Sequence, residues 1–319
     1  FPATASISYK YGFLERPIVD EYVEMLWNML FYLDCSLTRK QDDPETFVTC
    51  DVDWPFKPAR QSFKTVLKKS LGDLIKRWEV KESTLVWKDY VYHLLNIKQS
   101  DQNREKIDFI MDENEKNGNK VAFYFITEHT STYDSNFDFS SIEMRQLFRI
   151  IHHRGHEIGL HPGYNCFDNP IKFKQSADTL KRVLQEEGIS QPMIGGRMHY
   201  LRWDIMQTPQ LWDECGFNYD STLSYADMSG FRCGTSREFS MFNLVDCRVF
   251  KLKQRPLINM ESTIISSQHE DLGYSNQSLQ RFHYFKNLSH QYAGRYTLLW
   301  HNTHLSTKKD TEFYCDLIK

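Results

Sequence analysis

The sequence predicts an α/β fold in which parallel strands, joined by helices, form a barrel or a doubly wound sheet. Short apolar runs alternate with segments of helical periodicity along most of the 319 residues, as in chains with helical crossovers between parallel strands. In addition, one apolar run after another ends in a reactive polar side chain. A chain of this length can bury a large core as a single barrel with insertions.

The first predicted elements are a helix and two strands. Residues 17–33 begin with a proline at a suitable first helical position and repeat apolar side chains every three or four residues, which predicts an amphipathic helix. Residues 46–53 form a β-rich run that ends in carboxylates, and residues 121–126 form an uncharged run typical of a buried strand. A second helix follows, where Ser140 and Glu143 have the spacing of a capping box.

The remaining elements continue the alternation. They are a strand at 156–161, a helix at 173–187, a strand at 193–197, a helix at 205–215, a strand at 217–223 and a strand at 296–300. Residues 54–118 interrupt the pattern. Because this interval is too long for a structureless loop, we expect a helical insertion there.

The positions of polar side chains favour the barrel over the doubly wound sheet. In an α/β barrel the chemistry lies on the loops that follow the C-terminal ends of the strands. The candidates at strand ends are Asp51, Asp53, Glu128, His129, His161, Arg197, His199, Asp220, His301 and His304. Any one of them alone is most often a loop or capping residue. Their joint occurrence predicts a functional site at one end of a barrel.

Composition and charge narrow the function. A formal net charge of −3 gives no general attraction to nucleic acid. Seven cysteines without CxxC spacing favour reduced thiols in a cytoplasmic protein. No apolar run reaches the roughly 20 residues of a spanning helix. Residues 1–10 lack the order of a secretory signal, although a chain that begins with Phe1 leaves a removed leader or a truncation open.

Residues 57–81 form a basic amphipathic stretch with two readings. Such a stretch can lie on an anionic membrane, which would place a cytoplasmic protein at the periphery of the inner membrane. A lysine-rich helix is more often packed on a core with one solvated face. The oligomeric state has no signature in the sequence.

Four short motifs occur in the order found in a known family. TCDVD, GHEIGLH, GGRMHYLR and LLWH, within residues 46–304, resemble the motifs of the polysaccharide deacetylases, the NodB-homology domain of carbohydrate esterase family four. The resemblance implies a deformed (β/α)7 barrel over residues 46–319, with the helical segment 1–45 packed on it. The motifs DVDWPF, HEIGLHPGY, RMHYLRW and RPLINME are most similar to a bacterial branch associated with surface-polysaccharide biosynthesis.

The resemblance implies a base, its partner and an acid. Asp51, two residues after Thr49, matches the general base, and Arg197 matches the arginine that orients it. His301, at the end of the LLWH motif, matches the general acid, with His304 as a nearby competitor. Carboxylate suits a base, and imidazole suits an acid that titrates near neutrality.

The resemblance also implies a divalent metal, zinc in the first place, with manganese or another divalent ion as alternatives. The family has a ligand directly after the base, where this chain has Val52, so a one-residue bulge would be needed to bring Asp53 to the metal. His161 matches the first histidine ligand, but Asn165, a weak zinc ligand, stands at the position of the second. His199 could replace it from the neighbouring strand. No nucleotide cofactor is expected.

Aromatic and basic residues in or near the motifs are candidates for sugar binding. Flat rings with a polar edge suit the apolar faces of sugars, although core packing is an equally common use of such rings. The predicted substrate-binding residues are Trp54, Tyr164, Tyr200, Arg202, Arg232 and His304.

Two function classes follow. The first is a hydrolase that removes an N-acetyl group from a sugar of a bacterial surface polysaccharide or its precursor, by metal-activated water. Its partner would be an N-acetylated sugar, glycan or glycolipid precursor. The second is a catalytically degenerate relative that binds glycan or supports a biosynthetic complex. Retention of Asp51, Arg197 and His301 favours the enzyme, while a different reaction in a similar barrel stays open.

Overall fold

The computed structural model describes residues 1–40, 42–57, 63–72, 84, 87–88, 90–91 and 101–319. The chain divides into two compact units. The larger consists of residues 1–53 and 110–319, and the smaller of residues 54–109. The predicted division into residues 1–45 and 46–319, with 54–118 as an insertion, stays a prediction.

The larger unit is built on a sheet that has nine strands within the described residues. They are β1 (Glu45–Val52), β2 (Val121–Ile126), β3 (Glu157–His161), β4 (Gly195–Gly196), β5 (Tyr219–Asp220), β6 (Phe239–Asn243), β7 (Arg248–Gln254), β8 (Asn259–Met260) and β9 (Arg295–Leu299). Their order is β6-β7-β5-β4-β3-β2-β1-β9-β8. The pair β6–β7 is antiparallel and the others are parallel. With its helices the curled sheet forms a deformed (β/α) barrel, which confirms the predicted fold class.

The described helices precede, connect or follow the parallel strands, in keeping with the predicted alternation. They are α1 (Ile7–Lys10), α2 (Ile18–Leu33), α3 (Phe63–Gly72), α4 (Gln102–Lys116), α5 (Ile142–His153), α6 (Pro170–Glu186), α7 (Thr208–Glu214), α8 (Glu261–Ile265), α9 (Asn276–Gln291) and α10 (Lys308–Leu317). Among the described residues, no helix is both long and apolar enough to cross a bilayer.

Local sequence explains where the helices on either side of β3 begin. Asn169 caps α6 by accepting a hydrogen bond from the backbone N–H of Lys172 at 3.0 Å, and Pro170 occupies the first helical position. The predicted capping box of α5 is wrong by one residue. Ser141, not Ser140, is its N-cap, because the backbone of residue 140 is held by the preceding turn at Asp138.

Close approach of strands and rings fills the barrel interior. A Cβ at Gly196 would lie 2.0 Å from the carbonyl oxygen of Leu160, so only glycine lets β3 and β4 meet there. The hydroxyls of Tyr124 and Tyr219 lie 2.9 Å apart, and the latter donates to Glu157 at 2.6 Å. These paired tyrosines form a buried floor beneath the strand ends.

The smaller unit has an aromatic cluster of its own. Phe63 of α3 lies 5.8 Å from the ring of Trp87 and 6.1 Å from that of Tyr90, and the Trp87 indole donates to Ser70 at 2.9 Å. The membrane-contact prediction for residues 57–81 falls largely on residues 58–62 and 73–81, which lie outside the described residues.

Candidate active site

Asp51, near the end of β1, is a buried carboxylate held by Arg197. One guanidinium nitrogen, Nη1, donates to Asp51 Oδ1 at 2.7 Å and to Thr49 Oγ1 at 3.0 Å. Nε and Nη2 donate to the carbonyl and the hydroxyl of Ser221 at 2.8 and 3.0 Å. The ring of Tyr124 lies 5.1 Å below the guanidinium. Because its donors are used on both sides, Arg197 has a fixed orientation toward the carboxylate.

The surroundings of Asp51 keep it ionised. Burial opposes the negative charge, but the positive charge and hydrogen bond of Arg197, together with the nearby His161 and His301, outweigh burial and hold the pKa of Asp51 below its usual range. Its second oxygen, Oδ2, lies 3.8 Å from His161 Nε2. A deprotonated carboxylate therefore faces the histidine at neutral pH.

Asp53, His161 and His199 bring three ligand atoms to one place, all within 4.8 Å of one another. Asp53 Oδ1 lies 3.7 Å from Nε2 of each histidine, and the two imidazole rings are 4.9 Å apart. The predicted bulge is not needed. β1 stays in unbroken register with β2 through Val52, and the ordinary alternation of a strand puts Asp51 and Asp53 on one face.

The hydrogen bonds of the two histidines suit metal binding. His161 Nδ1 lies 2.6 Å from the carbonyl oxygen of Arg197, and His199 Nδ1 lies 2.8 Å from Oδ1 of Asp134. Since a carbonyl and a carboxylate accept, each Nδ1 donates and each Nε2 keeps its lone pair. Asp53 Oδ1 is buried without a hydrogen-bond partner among the described residues. This orphaned oxygen and two free imidazole nitrogens fit a divalent metal ion.

Asn165 is engaged with a neighbouring loop. Its side-chain amide donates to the carbonyl of Thr130 at 2.9 Å, and its backbone N–H donates to Thr130 Oγ1 at 3.1 Å. Gly163 allows this contact, because a Cβ there would lie 2.6 Å from the same hydroxyl. The role of Asn165 as a weak metal ligand stays a prediction.

His301 follows β9 and is paired with Glu261, a carboxylate that sequence reasoning missed. His301 Nδ1 lies 2.5 Å from Oε1 of the fully buried Glu261, and His304 Nδ1 lies 3.5 Å from the same oxygen. Burial lowers the pKa of His301, but the charge and hydrogen bond of Glu261 overcome this effect and raise it to about 10. The charges of Asp53 and Asp51 add to the increase. His301 therefore carries a proton at neutral pH.

Three tyrosines form a cluster beside His199. The ring of Tyr133 lies 4.6 Å from that of Tyr164 and 5.6 Å from that of Tyr200, and the last two are 5.4 Å apart. The Tyr200 ring lies 4.7 Å from the His199 ring. More than half of Tyr133 and of Tyr200 is exposed. The tyrosine cluster thus presents aromatic surface next to the ligand atoms.

A left-handed backbone at Tyr200 and the stacked side chain of Arg202 accompany the tyrosine cluster. Tyr200 and Leu201 have φ of 59° and 52°, a left-handed conformation that costs energy in residues other than glycine. Arg202 stacks on the rings of Tyr164 and Phe167 at 4.0 and 3.9 Å and donates to the Tyr164 carbonyl at 2.8 Å. Its side chain therefore packs against the Tyr164 ring of the cluster.

Arg232 and Trp54 are two other predicted substrate-binding residues. Arg232 donates to the carbonyl of Ser224 and stacks on Tyr225 at 5.1 Å. Trp54 is the first residue of the smaller unit. Their contact with substrate stays a prediction.

Three polar residues at strand ends, and His156 directly before β3, have structural partners. Glu128 accepts from Thr179, His129 bonds the carbonyl of residue 134, and Asp220 accepts from the backbone and hydroxyl of residue 222. His156, at the start of the HEIGLH motif, accepts from the backbone of residue 121 and bonds the carboxylate of residue 115. These contacts account for each side chain without a catalytic role.

Comparisons with known proteins support the fold. A family of unknown function, DUF7033, matches residues 1–33. No curated protein is similar in sequence. A proposed polysaccharide deacetylase from Mycobacterium smegmatis has a similar structure, with a TM-score of 0.53, 14% identity and coverage of 88% of this chain and 86% of that chain. Puue allantoinase has a TM-score of 0.49 and 12% identity, covering 89% of this chain and 88% of that chain. The chain is thus similar in fold to a deacetylase-like barrel.

Proposed function

We propose that the protein is a metal-dependent hydrolase that removes an N-acetyl group from a sugar of a bacterial surface polysaccharide or its precursor. One observation carries the proposal: an ionised carboxylate, Asp51, and a protonated imidazole, His301, accompany the three-ligand cluster of Asp53, His161 and His199. A base, an acid and a metal site together are what amide hydrolysis by water requires. The fold similarity to the mycobacterial protein supports the same reaction class.

The residues divide the work of hydrolysis. When bound to Asp53, His161 and His199, a divalent ion supplies Lewis-acid activation of water and of the amide carbonyl. Asp51 accepts a proton from the water whose oxygen attacks the carbonyl carbon. His301 donates its proton to the nitrogen as the C–N bond breaks, leaving acetate and an amino sugar.

The partners of the base and the acid set their protonation. Arg197 keeps Asp51 ionised and fixes the direction of its carboxylate. Glu261 keeps His301 protonated and fixes its ring through Nδ1, so that Nε2 is the nitrogen left to donate. A base and an acid with opposite pKa shifts can act at the same pH.

The tyrosine cluster is the proposed sugar-binding surface. Its exposed rings can stack on the apolar face of a sugar ring, while their hydroxyls bond to its polar edge. Tyr164 and Tyr200 were predicted from the motifs, and Tyr133 joins them through contacts with both rings. A cytoplasmic location is part of this proposal, and seven cysteines that are all free thiols are in keeping with it.

Metal analysis and acetate release test the proposal. Protein purified without an affinity-metal step is analysed by elemental mass spectrometry, with Asp53→Ala, His161→Ala and His199→Ala beside it. Near-stoichiometric metal in the wild type, lost in each variant, and acetate release from an N-acetylated sugar panel are expected. Wild-type protein that stays metal-free after incubation with zinc, manganese and other divalent ions would refute the hydrolase.

One observation favours a second candidate, a glycan-binding relative without turnover. Asn165 stands where the family motif has a histidine, and its amide is already bonded to Thr130. This candidate predicts saturable binding of N-acetylated oligosaccharides without acetate release, with binding lost in Tyr200→Ala.

A further inference from the structure

We propose that Asp134 is the positioning residue that makes His199 a metal ligand. The inference rests on the proposed metal site and assigns to this aspartate the orientation of one of its three ligands. Asp134 lies between β2 and α5, 65 residues before His199, and its side chain is fully buried.

Every contact of the Asp134 carboxylate holds it in one orientation. Oδ1 accepts from His199 Nδ1 at 2.8 Å and from the backbone N–H of Tyr164 at 2.7 Å. Oδ2 accepts from the backbone N–H and the hydroxyl of Thr130 at 2.8 and 2.6 Å and from the Ser131 backbone at 2.9 Å. With five donors around it, the carboxylate has little freedom to rotate away from the imidazole.

The Asp134 contact determines which nitrogen of His199 can bind a metal. A carboxylate only accepts, so the proton stays on Nδ1, and Nε2 keeps its lone pair at 3.7 Å from Asp53 Oδ1. His161 has a neutral carbonyl as its partner instead. A carboxylate makes its imidazole partner more basic, and hence a stronger ligand. His199 is therefore prepared for metal by a residue that does not touch the metal.

The same carboxylate joins three loops around the ligand cluster. It receives hydrogen bonds from the loop after β2 (Thr130), the loop after β3 (Tyr164) and the turn after β4 (His199). The position of His199 is thereby fixed relative to the loop after β3, which contains Asn165.

Metal affinity of Asp134→Asn is the central measurement. Zinc affinity is determined by competition with a chromophoric chelator, on full-length wild type and on this variant. We expect affinity to fall by about 10–100-fold, with unchanged circular dichroism of the metal-free protein. The Co²⁺-loaded variant should also show an altered visible spectrum, which a role in folding alone would not produce. Unchanged affinity and spectrum in a folded Asp134→Asn would overturn the inference.

Two further variants separate the His199 contact from the rest of the loop. Thr130→Val removes one hydrogen bond to Oδ2 and the one that Thr130 Oγ1 accepts from the backbone of Asn165. It leaves the pair of Asp134 with His199, so its zinc affinity should stay near that of the wild type. Adding Asp134→Asn to His199→Ala should cause no further loss of affinity, because the aspartate acts through that histidine. A further tenfold loss in the double variant would contradict the proposal.

Nitrogen-15 NMR of histidine-labelled, zinc-loaded wild type gives a test that needs no folded Asp134 variant. The His199 signals, assigned by their loss in His199→Ala, should show a protonated Nδ1 and a metal-bound Nε2. Metal on Nδ1 would overturn the inference while leaving the hydrolase in place. Metal binding with this tautomer but without acetate release would support the inference and refute the hydrolase.

Discussion

Asp51 shares a buried ion pair with Arg197, and both atoms of that contact lie below the surface. Asp51→Asn keeps an oxygen for the arginine but cannot accept a proton from water. We expect acetate release to fall by about 10²–10⁴-fold with metal content unchanged, as measured by product assay and elemental analysis. Stability should fall by about 3–5 kcal/mol, because the arginine loses its counter-charge.

Thr49→Val is the matched control for this change. It removes a neighbouring hydrogen bond to the same guanidinium nitrogen and leaves the base intact. Activity of Thr49→Val should therefore stay much closer to wild type. Unchanged acetate release from Asp51→Asn would contradict the assignment of the base.

The pair of His301 and Glu261 predicts a pH dependence of stability. The pKa of His301 rises from an ordinary 6.5 to about 10 on folding, so the folded protein holds a proton that the unfolded chain loses above pH 6.5. The pair stabilises fully below pH 6.5, and this contribution is lost as the pH rises through about 10. Melting temperatures of wild type and His301→Gln should therefore converge between pH 7 and 10.

The exposed His153 provides the control for loss of an imidazole. A His153→Gln variant should track the wild type across the same pH range. A constant difference between wild type and His301→Gln from pH 6 to 10 would show that Glu261 does not hold the proton.

Sequence reasoning gave Asp51 its arginine partner but missed the acidic partners of His301 and His199, although Glu261 ends the RPLINME motif. Asp53 and His161 stand at strand ends, where a pattern indicates them. Glu261 and Asp134 are single acidic residues whose histidines lie 40 and 65 positions away. A single sequence holds no signal for such pairs, since only the fold brings them together.

At the scale of elements, the meeting of β3 and β4 controls the position of two site residues. Gly196→Ala would place a methyl group 2.0 Å from the Leu160 carbonyl and push the strands apart. We expect a loss of about 1–3 kcal/mol in the free energy of unfolding, measured in urea. Zinc affinity should fall as well, because His161 is the last residue of β3 and Arg197, whose carbonyl bonds its ring, directly follows β4.

Gly188→Ala is the control for the effect of replacing a glycine by alanine where no strand contact is disturbed. It has nothing within 4 Å of its added Cβ and suffers only from its φ of +65°. This variant should lose stability without losing zinc affinity. If Gly196→Ala bound zinc like the wild type, strand separation would not control the ligand cluster.

Elements with strong periodicity were predictable, and short ones were not. The predicted helix at 17–33 and strand at 121–126 match α2 and β2 closely. The predicted strand at 217–223 has strand geometry only at Tyr219–Asp220, and β8 has two residues. A strand of two residues is too short to show an alternation of apolar and polar side chains. Such a strand is defined by its parallel pairing with neighbouring strands.

At the scale of the whole molecule, adding or removing metal should change the free energy of unfolding. An ion bound by Asp53, His161 and His199 would join the ends of three neighbouring chain segments in the folded state only. Zinc at about 100 times its Kd should add about 2.7 kcal/mol to the free energy of unfolding. Chelator should reverse the effect in thermal melts, and Asp53→Ala should show neither change. Equal zinc stabilisation of Asp53→Ala would place the metal elsewhere.

The overall architecture was accessible from the order of elements, whereas its additions were not. The alternation of strands and helices indicated a barrel or a doubly wound sheet, and the polar residues at strand ends favoured the barrel before any motif was considered. The antiparallel β6–β7 hairpin was not predicted, although buried and exposed residues alternate in β7 from Phe250 to Gln254. Exposed apolar residues of the hairpin, including Phe242 and Val249, interrupt the contrast between an apolar and a polar face. Its place beside β5 depends on pairing with a strand that is itself only two residues long.

Arg197 serves the two halves of the site through different parts of one residue. Its side chain donates a hydrogen bond to Asp51, while its backbone carbonyl accepts a hydrogen bond from His161 Nδ1. A substitution can alter the first contact but cannot delete the second, because every residue has a carbonyl. In a diverging lineage, the acid–base chemistry could therefore be lost at position 197 in one step while the support of His161 remained.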